Sequence, residues 1–214
     1  MKPFSHWTLR YLKNRIGTLY YEKAYPDCPW LTRDANEILA SYLKKTDIGL
    51  EFGSGRSTIW FASRVRKLTS VEHNDNWAGN VSEMIKKANI SNIEYKYGHK
   101  DKKDEEGGCS EYVKVADSFD DNSLDFCLVD GVCRDFCALK AINKIRPGGV
   151  LIIDNVNWFL PSLSYSPNSR SIKDGPKGPA WVEVAKEIDN WRKIWTTNGV
   201  WDTALFFKPC NQNS

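Results

Sequence analysis

Histidine is scarce in this chain, with three in 214 residues, and the six cysteines at 28, 109, 127, 133, 137 and 210 form no CxxC pair and have no histidine at zinc spacing. That removes the usual structural zinc sites. The cysteines read as reduced, mostly buried thiols, with Cys133 and Cys137 sharing a helix face at i, i+4 and assigned to packing. Long apolar runs are also missing. "MKPFSHWTLRYLKNRIGTLYY" has no unbroken stretch of signal-peptide length, and no later segment is long enough to cross a bilayer. A cytoplasmic protein without stable membrane insertion is the expectation. Nor does one sign of charge dominate: 30 Lys+Arg against 27 Asp+Glu leaves +3, with the two signs interspersed. A basic nucleic-acid stripe is not visible, so no nucleic-acid partner is expected.

The remaining composition, 41% hydrophobic and 27% charged, is that of a folded globular chain of about one domain. From residue 47 onward short β-branched or apolar runs alternate with helical patterns, as in βαβ units around a largely parallel sheet. The expected strands are 47–52, 67–73, 92–98, 123–131 and 147–156, and the expected helices 57–65, 76–90, 134–145 and 180–191. "SEYVKVADSF" could add a short helix before the fourth strand. Pro147-Gly148-Gly149 reads as a turn separating the third of those helices from the fifth strand. "KIWTTNGVWDTALFFK" (193–208) reads as a hairpin around Asn198-Gly199, adding antiparallel strands at the sheet edge.

Residues 1–46 stand outside the alternation as an N-terminal helical cap on a 47–210 domain. Phe4, Trp7, Tyr11, Ile16, Leu19 and Tyr20 recur at near-helical spacing, and Thr32 is placed to cap a helix over 32–45. These helices could form a layer on the sheet, a lid over the substrate or a membrane-surface attachment. The charged stretch 99–108 reads as a solvated loop. The Pro/Ser/Gly-rich stretch 161–179, with Arg170, Lys173 and Lys177, reads as a mobile basic lid or as plain surface loop.

"LEFGSGRST" (50–58) places a carboxylate, then Gly53-Ser54-Gly55, then a helix at the carboxyl edge of the sheet, where open α/β folds bind ligands. Glu72 ends the next strand, 19 residues after Gly53, at about the spacing where an acid meets the hydroxyls of an adenosine ribose. Loop and acid together imply a nucleoside. A dinucleotide would bring its pyrophosphate against Glu51, and Asp130 and Asp154 also end their strands on the same rim. Such a rim favours a cationic ligand. S-adenosylmethionine meets the description: Glu72 holds its ribose, the acids face its ammonium and sulfonium, and the loop amides receive its carboxylate.

With "LEFGSGRST", "SVEH", "LDFCLVDG" and "PGGVLIIDN" in view, residues 47–156 resemble the class I S-adenosylmethionine-dependent methyltransferases. The resemblance implies a Rossmann-like three-layer α/β sandwich, whose mostly parallel seven-stranded sheet ends in an antiparallel hairpin. It further implies that Glu51, Gly53, Ser54, Gly55 and Ser57 frame the methionine end, that Glu72 binds ribose with His73 flanking it, and that Asp130 lies near sulfonium and acceptor. Thr58 stands where a dinucleotide fingerprint carries its last glycine. An NAD-dependent oxidoreductase and a noncatalytic nucleoside-binding protein are the alternatives to a methyltransferase acting on an oxygen of a small-molecule acceptor.

Asp130 with Asp154-Asn155 is also similar to the metal pattern of catechol-type and caffeoyl-coenzyme A-type O-methyltransferases. That resemblance implies Mg²⁺ on two carboxylates and an amide oxygen, lowering the acceptor hydroxyl's pKa. The other reading has Asp130 contacting cofactor while Asp154 and Asn155 satisfy backbone donors. Cys133 and Arg134 stand near where that family carries a lysine base, and Arg134 is expected to steer an anionic substrate. Oligomeric state is left open, a homo-oligomer included.

Overall fold

The computed structural model describes residues 7–101, 108 and 110–210. Phe4, His6, Cys109 and most of the charged 99–108 stretch lie outside the described residues. Seven strands make one sheet: β1 (Ile48–Phe52), β2 (Lys67–Glu72), β3 (Ile93–Tyr97), β4 (Leu124–Val129), β5 (Ile145–Asp154), β6 (Arg192–Thr197) and β7 (Asp202–Phe207). Their order is β3-β2-β1-β4-β5-β7-β6. β1 to β5 run parallel, and β7 enters antiparallel between β5 and β6. β1 has β2 on one side and β4 on the other, so the chain's direction of winding reverses there and a crevice opens at the strand ends.

The strands form at the apolar runs because β1, β4 and β5 are covered on both faces, as parallel strands must be. One face packs Phe52, Leu151 and Ile153 against α6 (Arg134–Lys144) and α7 (Pro179–Glu187). The other packs Leu68, Phe126 and Ile152 against α2 (Arg33–Tyr42) and α3 (Arg56–Ala62). Leu31, Ala35 and Leu39 around α2 belong to this second core. The remaining helices are α1 (Leu9–Ala24), α4 (Asp75–Ala88) and the single turn α5 (Glu111–Lys114). Thr32 does cap α2, accepting from the Ala35 amide, and Asn74 caps α4 through the Trp77 amide. Asn198-Gly199 turns the hairpin, Gly199 at φ +74°.

Pro147-Gly148-Gly149 is not the separating turn that its composition suggests. α6 ends at Lys144, β5 begins at the next residue and runs straight through the three, and the irregularity is absorbed by a register shift against β4 between Leu124 and Phe126. A Cβ on Gly149 would meet the Asp125 carbonyl at 2.7 Å, so the glycine serves close strand approach. The 161–179 segment is tied down along its length. Asn157 Nδ2 donates to the Pro167 carbonyl and Ser169 Oγ, Ser166 Oγ donates to Asp202, the Arg170 amide donates to the Asn157 carbonyl, and the Arg170 guanidinium reaches the Gly175 and Asp174 carbonyls.

Candidate functional site

Because β1, β2, β4 and β5 point the same way, the acids at or just beyond their ends, Glu51, Glu72, Asp130 and Asp154, share one edge of the sheet. Glu51 and Glu72 are buried, as is Asp154, while Asp130 is partly exposed. Thr58 Oγ1 and Ser70 Oγ both donate to Glu51 Oε2, at 2.6 and 2.5 Å. Its other oxygen, Oε1, is buried without a partner. Burial pushes the Glu51 carboxyl up to about 7, against the lowering influence of the nearby Ser57, Ser70 and Thr58 hydroxyls.

The glycine turn is held more tightly than an open anion cradle. Gly53 adopts φ +93°, and a Cβ there would lie 2.7 Å from the Gly131 nitrogen. All three amides have internal acceptors: Gly53 N–H bonds the Val71 carbonyl, Ser54 N–H bonds Glu72 Oε2, and Gly55 N–H bonds Thr58 Oγ1. These internal bonds weigh against the expectation that the amides receive a ligand carboxylate.

Glu72 is similarly engaged. Oε2 accepts from the Ser54 amide and hydroxyl, each at 3.1 Å, while Oε1 accepts from the amides of His73 and Asn74. His73 Nδ1 lies 3.0 Å from the same Oε1. Four donors fill the roughly four lone-pair positions of a carboxylate. Ser54 Oγ has a second neighbour, Tyr95 Oη at 2.8 Å, to which it can turn if another hydroxyl takes its place. Burial pushes the Tyr95 phenol up to about 12, so it remains protonated. Trp77 leans over the turn, its Nε1 donating to the Ser54 carbonyl at 2.8 Å. Neither Trp77 nor Tyr95 is among the residues that the sequence motifs point to; an aromatic three residues beyond an N-cap asparagine is the one available hint for Trp77.

At the β4 and β5 ends a guanidinium occupies the centre. Arg134 Nε donates to the Gly131 carbonyl, Nη1 to the Asp154 carbonyl and Asn155 Oδ1, and Nη2 to the Asp130 carbonyl and to Asp130 Oδ1 at 2.9 Å. Those five acceptors match its five N–H donors. Arg134 is thus a staple, with no donor left to steer an anionic substrate, and that expectation is corrected. Asp154 Oδ1 accepts from Thr203 Oγ1 at 2.6 Å. Burial raises the Asp130 carboxyl, an effect Arg134 opposes, and burial together with the Asp130 charge raises Asp154 well above the usual range.

These oxygens do not suit Mg²⁺. Asp130 and Asn155 face an arginine, Asp154 faces a hydroxyl, and among the described residues no three His, Cys, Asp or Glu side chains are grouped to hold a metal. The cation that Asp130, Asp154 and Asn155 gather around in this structure is a guanidinium, and their geometry lends the metal assignment no support. The expected outcome is that millimolar Mg²⁺ leaves the thermal midpoint unchanged; an upward shift would show that the ion displaces Arg134.

Behind the rim, the Tyr112 hydroxyl is buried and unpartnered. It lies so close to Gly131 that a Cβ there would collide with it and with the Gly53 nitrogen at 3.0 Å. Gly131→Ala is therefore expected to cost about 1–3 kcal/mol by overpacking, read as a lower urea midpoint. Adding Tyr112→Phe should recover part of the loss, and no recovery would place the strain elsewhere.

Beside Arg134 lies a cavity of about 280 Å³ whose lining includes Gly131, Cys133, Arg134, Phe159, Lys177 and Trp181. Phe159 and Trp181 stack at 4.8 Å, and Lys177 Nζ stands 5.3 Å over the Phe159 ring.

No family model and no curated protein matches this chain. Solved structures do match it in fold. An rRNA methylase from Streptococcus thermophilus aligns with TM-score 0.55 and 13% identity, over 84% of this chain and 98% of its own. A methyltransferase from Geobacter sulfurreducens gives 0.54 at 10% identity, covering 92% and 90%. M. jannaschii TYW2, solved in complex with AdoMet, gives 0.51 at 13%, covering 81% and 73%. At these identities the likeness establishes the architecture: a Rossmann-like α/β sandwich with a mostly parallel seven-stranded sheet and a C-terminal antiparallel hairpin.

Proposed function

We propose that this chain is an S-adenosylmethionine-dependent methyltransferase acting on an oxygen of a small molecule. One observation carries the reading: Glu51 Oε1, buried, unpartnered and on a rim of acids, is suited to a cationic group and hostile to a diphosphate. Among the similar folds, a methyltransferase and TYW2, the latter solved with AdoMet, support the same cofactor.

When bound, the cofactor supplies a methyl group on a positively charged sulfur. In this reading Glu51 takes the ammonium. Glu72 takes a ribose hydroxyl after Ser54 Oγ turns to Tyr95, and His73 flanks it. Asp130, next in the chain to Gly131 of the small cavity's lining and bonded to Arg134, accepts a hydrogen bond from the acceptor's hydroxyl, while Arg134, Asp154 and Asn155 fix its position. The stacked Phe159 and Trp181 exclude water from one wall. The cavity is close to the lower end of small-ligand pockets, which supports a small acceptor.

Charge composition alone argues against nucleic acid, yet one protein of similar fold is an rRNA methylase. RNA therefore belongs in the acceptor trial. The test has two parts: calorimetry with S-adenosylhomocysteine and NAD, then transfer of labelled methyl to a phenol and hydroxy-acid panel and to total RNA. Micromolar binding of the first ligand, none of the second, and label in small molecules is the expected result. NAD binding would sink the cofactor assignment, and label in RNA alone would sink the acceptor class.

A further inference from the structure

α1 is turned inside out relative to an ordinary surface helix. Its inward side is polar: Thr18 is the helix's one buried residue, Asn14 packs on Gly199, and Tyr21 Oη accepts from Asn36. Leu9, Leu12, Ile16, Leu19 and Tyr20 project the other way, over an arc of about 100° at 100° per residue. They are 87, 38, 68, 47 and 76% exposed. A helix in a globular chain buries such a stripe. Here it faces away from the sheet.

The charges beside the stripe identify what would cover it. α1 carries Arg10, Lys13, Arg15 and Lys23 against a single acid, Glu22. Lys13 and Lys23 fall at the stripe's edge and within it by the same helical geometry. Arg10 and Arg15 lean over the rings of Tyr165 and Trp201. Among the described residues none of the four is ion-paired to a carboxylate. A second copy laid along the stripe would bring Lys13 and Lys23 towards their own counterparts, with only Glu22 to offset them. A surface that is apolar in depth and negative at its face accommodates both features at once, since lysine stems lie along apolar groups while their ammonium ends reach outward.

We infer that the outer face of α1 docks in the interfacial plane of an anionic lipid bilayer, lying on it without crossing it. Among the described residues no helix is long and apolar enough to span one. The inference is independent of the methyltransferase reading, because none of the residues proposed to bind cofactor or acceptor lies on α1.

The test is flotation of the full chain with vesicles of equal parts phosphatidylglycerol and phosphatidylcholine, against vesicles of phosphatidylcholine alone. The expected result is association with the first and little with the second, weakened by salt. Leu9→Glu with Ile16→Glu should reduce it at least about tenfold. Both side chains are exposed, so the circular dichroism and thermal midpoint of the variant should match the parent. S-adenosylhomocysteine binding by parent and variant, measured alongside, reports separately on the cofactor site. Absence of vesicle binding, or equal binding to both compositions, overturns the inference. So does a dimer in sedimentation velocity that the same two substitutions dissolve, since that would assign the stripe to a second copy.

Discussion

Replacing Glu51 by glutamine is expected to stabilise the folded chain at pH 8 by about 2 kcal/mol while weakening S-adenosylhomocysteine binding at least about tenfold. The stability half follows from linkage. Burial holds the folded Glu51 carboxyl at about 7, against an ordinary 4.5. Between those values the folded state binds the extra proton, so stability falls as pH rises through the window and levels off above it. At ~1.4 kcal/mol per pH unit the full loss is roughly 3 kcal/mol. Glutamine has no proton to lose, and its carbonyl can accept from Thr58 and Ser70 as Oε2 does. Its amide N–H groups would then stand where Oε1 finds no partner, at a cost of about 1 kcal/mol, which trims the gain to the stated figure. The binding half rests on charge: an ammonium bonded to a buried carboxylate loses about 1.5–3 kcal/mol when that acceptor becomes neutral. Parent affinity should accordingly rise as pH climbs through 7. Urea titrations at pH 5 and 8 with calorimetry at both values measure all of this; a glutamine variant less stable at pH 8 and unimpaired in binding would contradict it.

The same residues show what a linear sequence can disclose. Glu51, Glu72, Asp130 and Asp154 were legible as one rim because each ends, or directly follows, an apolar run, and parallel strands bring such ends together. Thr32 and Asn198-Gly199 were legible because a cap and a tight turn are local events. What escaped depends on groups far apart in the chain. That the three glycine-turn amides are already bonded depends on Val71, Glu72 and Thr58 arriving at fixed distances. Pro147-Gly148-Gly149 has turn composition, but the need for Gly149 to pass the Asp125 carbonyl appears only once β4 and β5 are side by side. α1 was legible as a helix from its spacing. Which side of it faces the sheet was not, since Asn14 and Thr18 face inward against the usual preference.

Arg134 gives the strongest test of how the rim is held. Its place near where catechol-type O-methyltransferases carry a lysine base suggested a guanidinium for an anionic substrate, but the sequence could not show that all five donors are spent on Gly131, Asp130, Asp154 and Asn155. Arg134→Met keeps the side chain's length and removes every one of those bonds. Asp130 is then left without its cation beside the buried Asp154 carboxyl, and three backbone carbonyls lose a donor. Breaking a largely buried pair this way is expected to cost about 3–5 kcal/mol, well above the worth of an exposed ion pair. The companion variant Asp130→Asn removes the stranded charge, so in the double variant the loss should be smaller than the sum of the singles by at least about 1 kcal/mol. Urea midpoints at constant m-value across the four proteins give the coupling directly. Near-additive effects, or a methionine variant within about 0.5 kcal/mol of the parent, would mean that the guanidinium does not hold Asp130, and the argument against a metal ion between Asp130, Asp154 and Asn155 would fall with it.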